Sequence, residues 1–272
     1  MKRSWFATPY ALWMILFTVC PILFVLYYAF TTADGAFTIE NLKYCLTDDT
    51  IISVFLRSLR LALECTAICF VLGYPAAYFL ASKDFSRNKT LFVLILLPMW
   101  MNFLLRTYAM MSLLEDRGII NNFLVSLGFE RLVLIGTEGS VLLGMVYNFL
   151  PFMILPIYTV LKKMDTRVVE AAQDLGANPA QVFMRVTLPL SVPGIVSGIT
   201  MVFMPAVTTF AISRLLGSGN FWLFGDVIEQ KYLTSNNWNF GSALSLVMMV
   251  LILLSIGLLN KIDPKKEGGG VV

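Results

Sequence analysis

Few side chains in this 272-residue sequence have the types and spacing to do acid–base or metal chemistry. Histidine, the commonest general base and metal ligand, is absent from it. Cys65 and Cys69 are four residues apart, but no further soft ligand lies near them, so we expect them to pack as small apolar side chains. The G-x-x-x-x-G-K-[ST] pattern that binds nucleotide phosphates is also missing. We therefore expect no catalytic residue, metal site or cofactor site on this chain.

The elements that position the remaining polar residues are predicted to be membrane helices. Hydrophobic residues make up 58% of the sequence and charged residues only 14%, against about 25% charged residues in soluble domains. A chain of this composition has to place most of its surface in lipid. Its net charge of +3 is too small and too dispersed to favour nucleic acid as a partner.

Six apolar runs are long enough to cross a bilayer, at about 20 residues each, and predict a single all-α transmembrane domain over residues 1–272. A shorter apolar fragment, 118–124, predicts a helix that lies along the outer surface. The six predicted spans are residues 6–30, 52–81, 91–113, 139–161, 191–216 and 241–260.

The distribution of Lys and Arg predicts the orientation of these spans, because cytoplasmic loops carry an excess of both residues. Twelve of the 20 lie in one set of loops, which includes both termini, and six lie in the alternate set. We therefore expect both termini and the loop 162–190 to be cytoplasmic. The outer loops hold ten acidic residues against those six bases, a surplus that fits either a cationic ligand or ordinary solvated loops.

The loop 162–190 is a polar island in an otherwise apolar chain. The pair Asp165-Thr166 can cap a helix, and Gly176 can end that helix in the left-handed conformation. Asn178-Pro179 starts a second short helix, and Leu188-Pro189 predicts the turn into the fifth span. Such a helix–turn–helix is either a docking surface for a soluble partner or an amphipathic hairpin that covers the ends of the spans.

The spacing within this loop resembles the EAA loop of permeases from ATP-binding-cassette (ABC) importers. The shared pattern is E-A-A, three residues, glycine, nine residues, an aliphatic residue, any residue and L-P; the aliphatic residue is Val186 here, where isoleucine is usual. The resemblance implies the type I, MetI-like permease fold. It also implies a loop that couples to a cytoplasmic ATPase, on a protein that is not itself an enzyme. The residues implied in coupling are Glu170, Ala171, Ala172, Gly176, Leu188 and Pro189.

Further segments resemble the spermidine/putrescine importers, most closely the first, B-type, of their two permease subunits. The resemblance implies an inner-membrane protein that forms half of a polyamine pathway. It implies as partners a homologous second permease, two cytoplasmic ATPase subunits that hold ATP and magnesium, and an extracellular or periplasmic polyamine-binding protein. The segments are Leu72–Pro75, Leu105–Tyr108, Leu150–Met153, Asp174–Ala177 and Met204–Ala206.

A polyamine pathway needs carboxylates to offset charge and aromatic faces to contact methylenes and ammonium groups, at about 0.5–2 kcal/mol for a good cation–π contact. Pro205 cannot donate a backbone hydrogen bond and is expected to kink the fifth span beside such a route. The other candidates could equally be interfacial packing or solvated surface residues. The candidate pathway residues are Trp100, Tyr108, Tyr147, Pro205, Phe210, Asp226, Glu229 and Glu64.

Charged residues inside predicted spans usually face protein or a cavity. Glu64 has Arg60 one turn before it, so an internal ion pair competes with substrate binding as its role. Arg106 would repel a cationic substrate, and we expect it to anchor the third span to an outer carboxylate, Glu115 or Asp116.

Three alternative functions stay open. The same class of permease could carry another solute, such as an oxyanion, an iron complex or thiamine. A secondary transporter driven by an ion gradient is the second alternative, although the sequence offers only Glu64 as a carboxylate within a predicted span. A membrane enzyme is the third, and the lack of histidine argues against it.

Overall fold

The computed structural model describes residues 8–82 and 89–262, and in these ranges the chain is helical apart from loops and one isolated bridge between Thr31 and Phe37. Two stretches, Ile15–Val19 and Phe183–Thr187, form single π-helical turns. The helices are α1 (Thr8–Met14), α2 (Cys20–Ala29), α3 (Glu40–Thr47), α4 (Asp49–Ala81), α5 (Lys89–Trp100), α6 (Phe103–Leu114), α7 (Ile119–Ser126), α8 (Glu138–Lys163), α9 (Thr166–Asp174), α10 (Pro179–Val182), α11 (Leu188–Thr208), α12 (Ala211–Leu216), α13 (Phe224–Leu233) and α14 (Trp238–Ile262).

Four helical stretches are long and apolar enough to cross a membrane, and a fifth is added if a bent pair, Val93–Trp100 with Phe103–Ser126, is one span. The all-helical membrane architecture is thereby confirmed, while the count of six spans stays a prediction. Both termini, residues 1–7 and 263–272, lie outside the described residues. The four stretches are Leu12–Ala29, Glu138–Lys163, Pro179–Thr208 and Trp238–Leu259.

Three of the predicted spans each fall within one helix. Residues 52–81, 139–161 and 241–260 lie inside α4, α8 and α14. The first predicted span is helical from residue 8 to residue 29, by way of the π-helical turn between α1 and α2, and its residues 6 and 7 lie outside the described ranges. The short fragment 118–124 forms α7, as its apolar pattern predicts.

The third predicted span, 91–113, stays a prediction, and it is not one continuous helix. It is broken between α5 and α6, and the segments on the two sides of the break are bent by 100°. The side-chain oxygen of Asn102 accepts hydrogen bonds from the backbone N–H groups of Leu104 at 2.8 Å and Leu105 at 3.4 Å. An asparagine in this capping role starts a new helix, and a continuous apolar run hides that signal.

The fifth predicted span, 191–216, is also interrupted, because α11 ends at Thr208 and α12 begins at Ala211. Pro205 lies within α11, and the chain stays helical past it. A membrane helix tolerates the loss of one backbone hydrogen bond at a proline, which has no N–H to donate. The interruption comes later, at Thr209, whose backbone is extended with φ −65° and ψ 140°.

The core of the fold is the packing of α4, α8 and α11 against one another. Gly194 lets α11 approach α8, because a Cβ there would lie 3.0 Å from the carbonyl oxygen of Pro156 and 3.1 Å from the Cα of Ile157. Close approach over small residues is the usual way for membrane helices to pack. Cys65 and Cys69 of α4 are fully buried in the same core, as expected of small packing side chains.

Gly194→Ala should destabilise the protein by about 1–3 kcal/mol, because the added methyl group meets backbone atoms of α8 that cannot rotate away. Gly257→Ala is the matched control, since a Cβ there meets nothing within 4 Å and alanine is favoured over glycine in a helix by about 0.5–1 kcal/mol. Thermal unfolding in detergent measures both variants. Equal melting temperatures would contradict close packing at Gly194.

Candidate functional site

The first helix of the polar loop forms as the sequence predicts. Asp165 Oδ1 accepts a hydrogen bond from the backbone N–H of Arg167 at 3.0 Å and caps α9. Gly176 has φ +83°, and the N–H of Ala177 donates to the carbonyl oxygen of Ala172 at 3.1 Å. This is a glycine-based helix end, so both predicted boundaries of the helix are confirmed.

The second helix begins at Asn178-Pro179 as predicted, but it does not end where the sequence predicts. Asn178 and Gln181 form a capping box at the start of α10, in which each side chain accepts the other residue's backbone N–H, at 2.8 and 3.0 Å. The turn predicted at Leu188-Pro189 is wrong, because Pro179–Thr208 is one continuous helical stretch. The N–H of Leu188 donates to the carbonyl oxygen of Phe183, five residues back, and closes a π-helical turn. The next residue, Pro189, has no N–H to donate, and the chain stays helical past it.

The implied coupling residues lie on an accessible surface. Glu170, Ala171 and Gly176 are exposed, Ala172 is half-buried, and α9 buries none of its side chains. Three apolar side chains of the same loop are exposed as well. They are Val168, Leu175 and Met184, at 46%, 90% and 60% exposure. The remaining two coupling residues lie on the continuous stretch that follows: Leu188 is half-buried and Pro189 is exposed.

Two of the candidate pathway residues, Phe210 and Glu229, come together at the break between α11 and α12. They line a cavity of about 370 Å³ with Thr208, Tyr232 and Met248. The lining is almost entirely apolar, so the rings of Phe210 and Tyr232 and their apolar neighbours can contact the methylenes of a flexible cation, while Glu229 lies at the edge of this surface.

Glu229 has an ion-pair partner within the chain. Arg214 Nη1 donates to Glu229 Oε1 at 2.6 Å, and the side chain of Glu229 is 19% exposed while that of Arg214 is 67% exposed. The two residues also line a second cavity of about 280 Å³, together with Trp222 and Asp226. Glu229 therefore stands between two cavities and is neutralised by a cation that reaches solvent.

Asp226 is buried rather than solvated. Its Oδ2 accepts the backbone N–H of Leu223 at 2.8 Å, which caps α13. Burial raises the pKa of Asp226 to about 6, while hydrogen bonds from Ser213 and Leu223 oppose that rise. A contact between Asp226 and a substrate at the outer mouth stays a prediction, and the structure gives this carboxylate a role in holding α13.

The other aromatic candidates are distributed over three helices. Trp100 ends α5, Tyr108 lies on α6 and Tyr147 on α8, and all three side chains are exposed. None of them lines the cavity of Phe210 and Glu229. Their place in a pathway stays a prediction.

Glu64 is held in an ion pair, the alternative that competed with substrate binding. Its Oε1 lies 3.6 Å from Nε of Arg60, and Arg60 also forms an ion pair with Glu138 of α8. Arg60 and Glu138 line a cavity of about 640 Å³ with Arg57. The carboxylate on α4 thus belongs to a mixed-charge cluster that links α4 and α8.

Arg106 is 4% exposed, and its Nε and Nη1 atoms have no hydrogen-bond partner among the described residues. The anchor expected at Glu115 or Asp116 is therefore wrong. Both carboxylates are exposed and follow the end of α6, and nine helical residues separate Arg106 from the nearer one by about 13 Å. Arg106 is instead buried on a helix that packs against α8 and α12.

Residues 70–268 match a known protein family, described as the binding-protein-dependent transport system inner membrane component. The chain belongs to this family. The match begins in α4 and includes the polar loop and the interrupted fifth helix. The protein is accordingly an inner-membrane component of a transport system, and its relatives are permeases rather than enzymes.

Two relatives of this permease are named spermidine/putrescine transport system permease protein PotB. The protein of Haemophilus influenzae is 40% identical over 252 residues, which cover 90% of this chain and 88% of the relative. The protein of Escherichia coli K12 is 37% identical over 252 residues, which cover 90% and 91%. The likeness thus extends over nearly the whole permease and is not confined to the polar loop.

Two solved structures share the fold of this permease. A bacterial alginate ABC transporter, crystallised with an alginate pentasaccharide-bound periplasmic protein, aligns with a TM-score of 0.78 at 17% identity, over 98% of this chain and 96% of that chain. The MetNI methionine ABC transporter, in an inward-facing conformation, gives 0.58 at 17% identity over 78% and 95%. The MetI-like fold implied by the EAA resemblance is confirmed.

Sequence reasoning missed two residues that this permease brings to Glu229. Tyr232 follows Glu229 by three residues on α13, and that helical spacing is a signal that could have found it. Arg214 lies 15 residues before Glu229, across a loop. No local pattern in the sequence joins those two residues.

Asp226→Asn should stabilise the permease near neutral pH. Because the folded-state pKa of about 6 lies above the ordinary value of 3.8, the stability that protonation gives is complete below about pH 4 and is lost as the pH rises through about 6. The asparagine keeps an acceptor for the N–H of Leu223 and carries no charge. Thermal unfolding should show a higher melting temperature than wild type at about pH 7.5 and a clearly smaller gain at about pH 4.5. The exposed Glu115→Gln is the control, and a gain confined to low pH would contradict the burial of Asp226.

Proposed function

We propose that this protein is a permease subunit of an ATP-driven importer of spermidine and putrescine, and that it forms half of the translocation pathway. The observation that carries the proposal is its 40% identity, over 90% of the chain, to a spermidine/putrescine permease. The cavity of Phe210, Glu229 and Tyr232 supports the substrate class. Its rings would contact the methylenes and ammonium groups, and its carboxylate would offset their charge.

The partners in this proposal are a homologous second permease, two cytoplasmic ATPases that hold ATP and magnesium, and an external polyamine-binding protein. The exposed surface of α9, with Leu175 at 90% exposure, supports a docking site for an ATPase. The chain has no P-loop with which to bind ATP itself. We place six spans across the membrane and both termini in the cytoplasm, so that the loop 162–190, the coupling loop of this permease, faces the ATPases.

The mechanism in this proposal follows from the continuity of the coupling loop with α11. A displacement of α9 by the ATPases passes through α10 and the π-helical turn into α11, because Pro179–Thr208 is one helical stretch. The far end of that stretch is the break at Thr209 and Phe210, beside the cavity of Glu229. Nucleotide-driven movement would thus change the shape of the cavity without any bond chemistry in this chain.

The proposal is tested by uptake of labelled spermidine into proteoliposomes that contain this permease with its second permease, its ATPase and its polyamine-binding protein. We expect ATP-dependent uptake, and we expect Glu170→Ala to reduce it at least about tenfold by weakening the ATPase contact. Asp174→Asn, which removes another carboxylate from the same helix, should leave uptake near wild type. The amount of ATPase that co-purifies with each variant separates lost docking from lost transport.

Two outcomes would favour the alternative functions, a secondary transporter or an ABC permease for another solute. Uptake that follows an ion gradient and ignores ATP would identify a secondary transporter. ATP-dependent uptake of another solute, such as an oxyanion, an iron complex or thiamine, with no competition from spermidine or putrescine, would keep the permease class and overturn the substrate.

Glu229→Gln should slow spermidine uptake about tenfold when the loaded binding protein is saturating, because the variant lacks the charge that offsets an ammonium group. Affinity of the binding protein for spermidine is the internal reference, since it belongs to another chain. Glu115→Gln, an exposed carboxylate away from the cavity, should have no effect. Equal rates for both variants would remove Glu229 from the pathway.

A further inference from the structure

Three aromatic rings meet beneath the coupling loop. The ring of Phe183, in the π-helical turn, lies edge-on to the rings of Tyr74 and Tyr78, with centroids 5.8 Å apart in both pairs and interplanar angles of 85° and 89°. The two tyrosines are one turn apart on α4. Edge-to-face contacts of this kind are favourable and depend on ring orientation. We call Tyr74, Tyr78 and Phe183 the aromatic clamp.

A buried hydrogen bond fixes the clamp to α11. The hydroxyl oxygens of Tyr74 and Ser191 are 3.0 Å apart, and both side chains are buried. Ser191 Oγ uses its own hydrogen for the carbonyl oxygen of Leu188, at 2.8 Å. Because a serine hydroxyl has one hydrogen, Tyr74 is the donor to Ser191, and α4 is tied to α11 just after the π-helical turn.

The coupling helix α9 packs chiefly against α10 and the π-helical turn. A cavity of about 210 Å³ lies among α9, α10 and the ends of α4 and α8; its lining includes Val169 on α9, Val182 on α10 and Leu161 on α8. The direct packing of α9 is against α10 and the π-helical turn. A displacement of α9 can therefore reach α4 by packing through that turn, where the ring of Phe183 contacts Tyr74 and Tyr78.

The opposite part of α4 contacts the helix that carries Glu229. The N–H of Phe224, at the start of α13, donates to Ser58 Oγ at 2.7 Å, and the rings of Phe55 and Phe224 lie 5.2 Å apart at 77°. Ser58 and Phe224 are both buried. Sixteen helical residues separate Ser58 from Tyr74, about 24 Å along one helix. A single helix thus joins the aromatic clamp to the wall of the candidate substrate cavity.

We propose that Phe183 is a positioning residue for transport, which transmits displacement of α9 to α4, and that Ser58 passes the movement of α4 to α13 and Glu229. This inference rests on the proposed function, because it needs an ATPase to move α9. The route through α4 is a second path by which movement of α9 reaches the cavity, in addition to the direct path through α11. Movement of α13 relative to the break at Phe210 then opens or closes the cavity from its other side.

The test uses the assembled transporter and a reporter cysteine, Leu233→Cys, at an exposed position that lines the cavity. Of the native cysteines, Cys45, Cys65 and Cys69 are buried and Cys20 is half-buried, and labelling of the parent without the reporter is subtracted. We expect the rate of maleimide labelling to change about fivefold or more when the ATPases are trapped with a non-hydrolysable ATP analogue.

Phe183→Ala and Ser58→Ala should each reduce this nucleotide response at least about threefold, leaving the part that α11 transmits directly, and should lower the amount of spermidine imported per ATP hydrolysed. Phe183→Tyr, which keeps the ring, should keep the full response and the full import ratio. If Phe183→Ala does not assemble, Phe183→Leu keeps an apolar side chain without the ring and is expected to reduce the response in the same way.

The two levels of the proposal fail differently. A parent transporter without ATP-dependent spermidine uptake would overturn the proposed function. The other outcome is a parent that does transport spermidine. If Phe183→Leu and Ser58→Ala then leave its labelling response and its import ratio unchanged, the role of Phe183 and α4 is overturned and the function stays intact.

Discussion

The close contact of α11 with α8 determines where the candidate sites of this permease lie. At Gly194 the backbone of α11 meets the backbone of α8 near Pro156 and Ile157, with no space for a side chain between them. Because Pro179–Thr208 is continuous, this one contact positions both the coupling loop before it and the break at Thr209 after it. Small residues are common at such crossings in membranes. Lipid tails are as apolar as the side chains, so the helices associate by close packing rather than by the hydrophobic effect.

The polar side chains inside the apolar helices are satisfied mostly by their own helices. Thr66, Ser197 and Thr200 each donate to the carbonyl oxygen four residues before them, which removes the need for a partner elsewhere. Within residues 8–82 and 89–262, other polar side chains form hydrogen bonds between helices. Tyr74 with Ser191 joins α4 to α11, and Ser58 with the backbone of Phe224 joins α4 to α13.

The parts of the fold that could be predicted from the sequence are those that local chemistry decides. Asp165, Gly176 and the pair Asn178-Pro179 mark the ends of their helices by short-range hydrogen bonds and backbone preferences, and the structure places all three as expected. The same kind of signal existed at Asn102, where the apolar run on both sides concealed it. Hydropathy measures the average along a segment, so it cannot locate a break of two residues.

The candidate substrate cavity could be predicted only in part, for a similar reason. Residue type alone predicts Phe210 and Glu229, because a cation is bound by aromatic rings and carboxylates. The burial of Asp226 and the ion pair of Glu229 with Arg214 depend on how α12 and α13 pack, and the sequence carries no local mark of either. Arg106 is a further example, since its burial depends on how α6 packs against α8 and α12.

The ion pair between Arg214 and Glu229 has a consequence for charge balance. An ammonium group that reached Glu229 would replace a guanidinium that is already there, and the displaced guanidinium, 67% exposed, would return to water. Glu229 would then have a counterion before, during and after the passage of a cation, because one cation exchanges for another. The free energy of bringing a cation to this carboxylate is therefore the small difference between two ion pairs rather than the large desolvation cost of a bare charge.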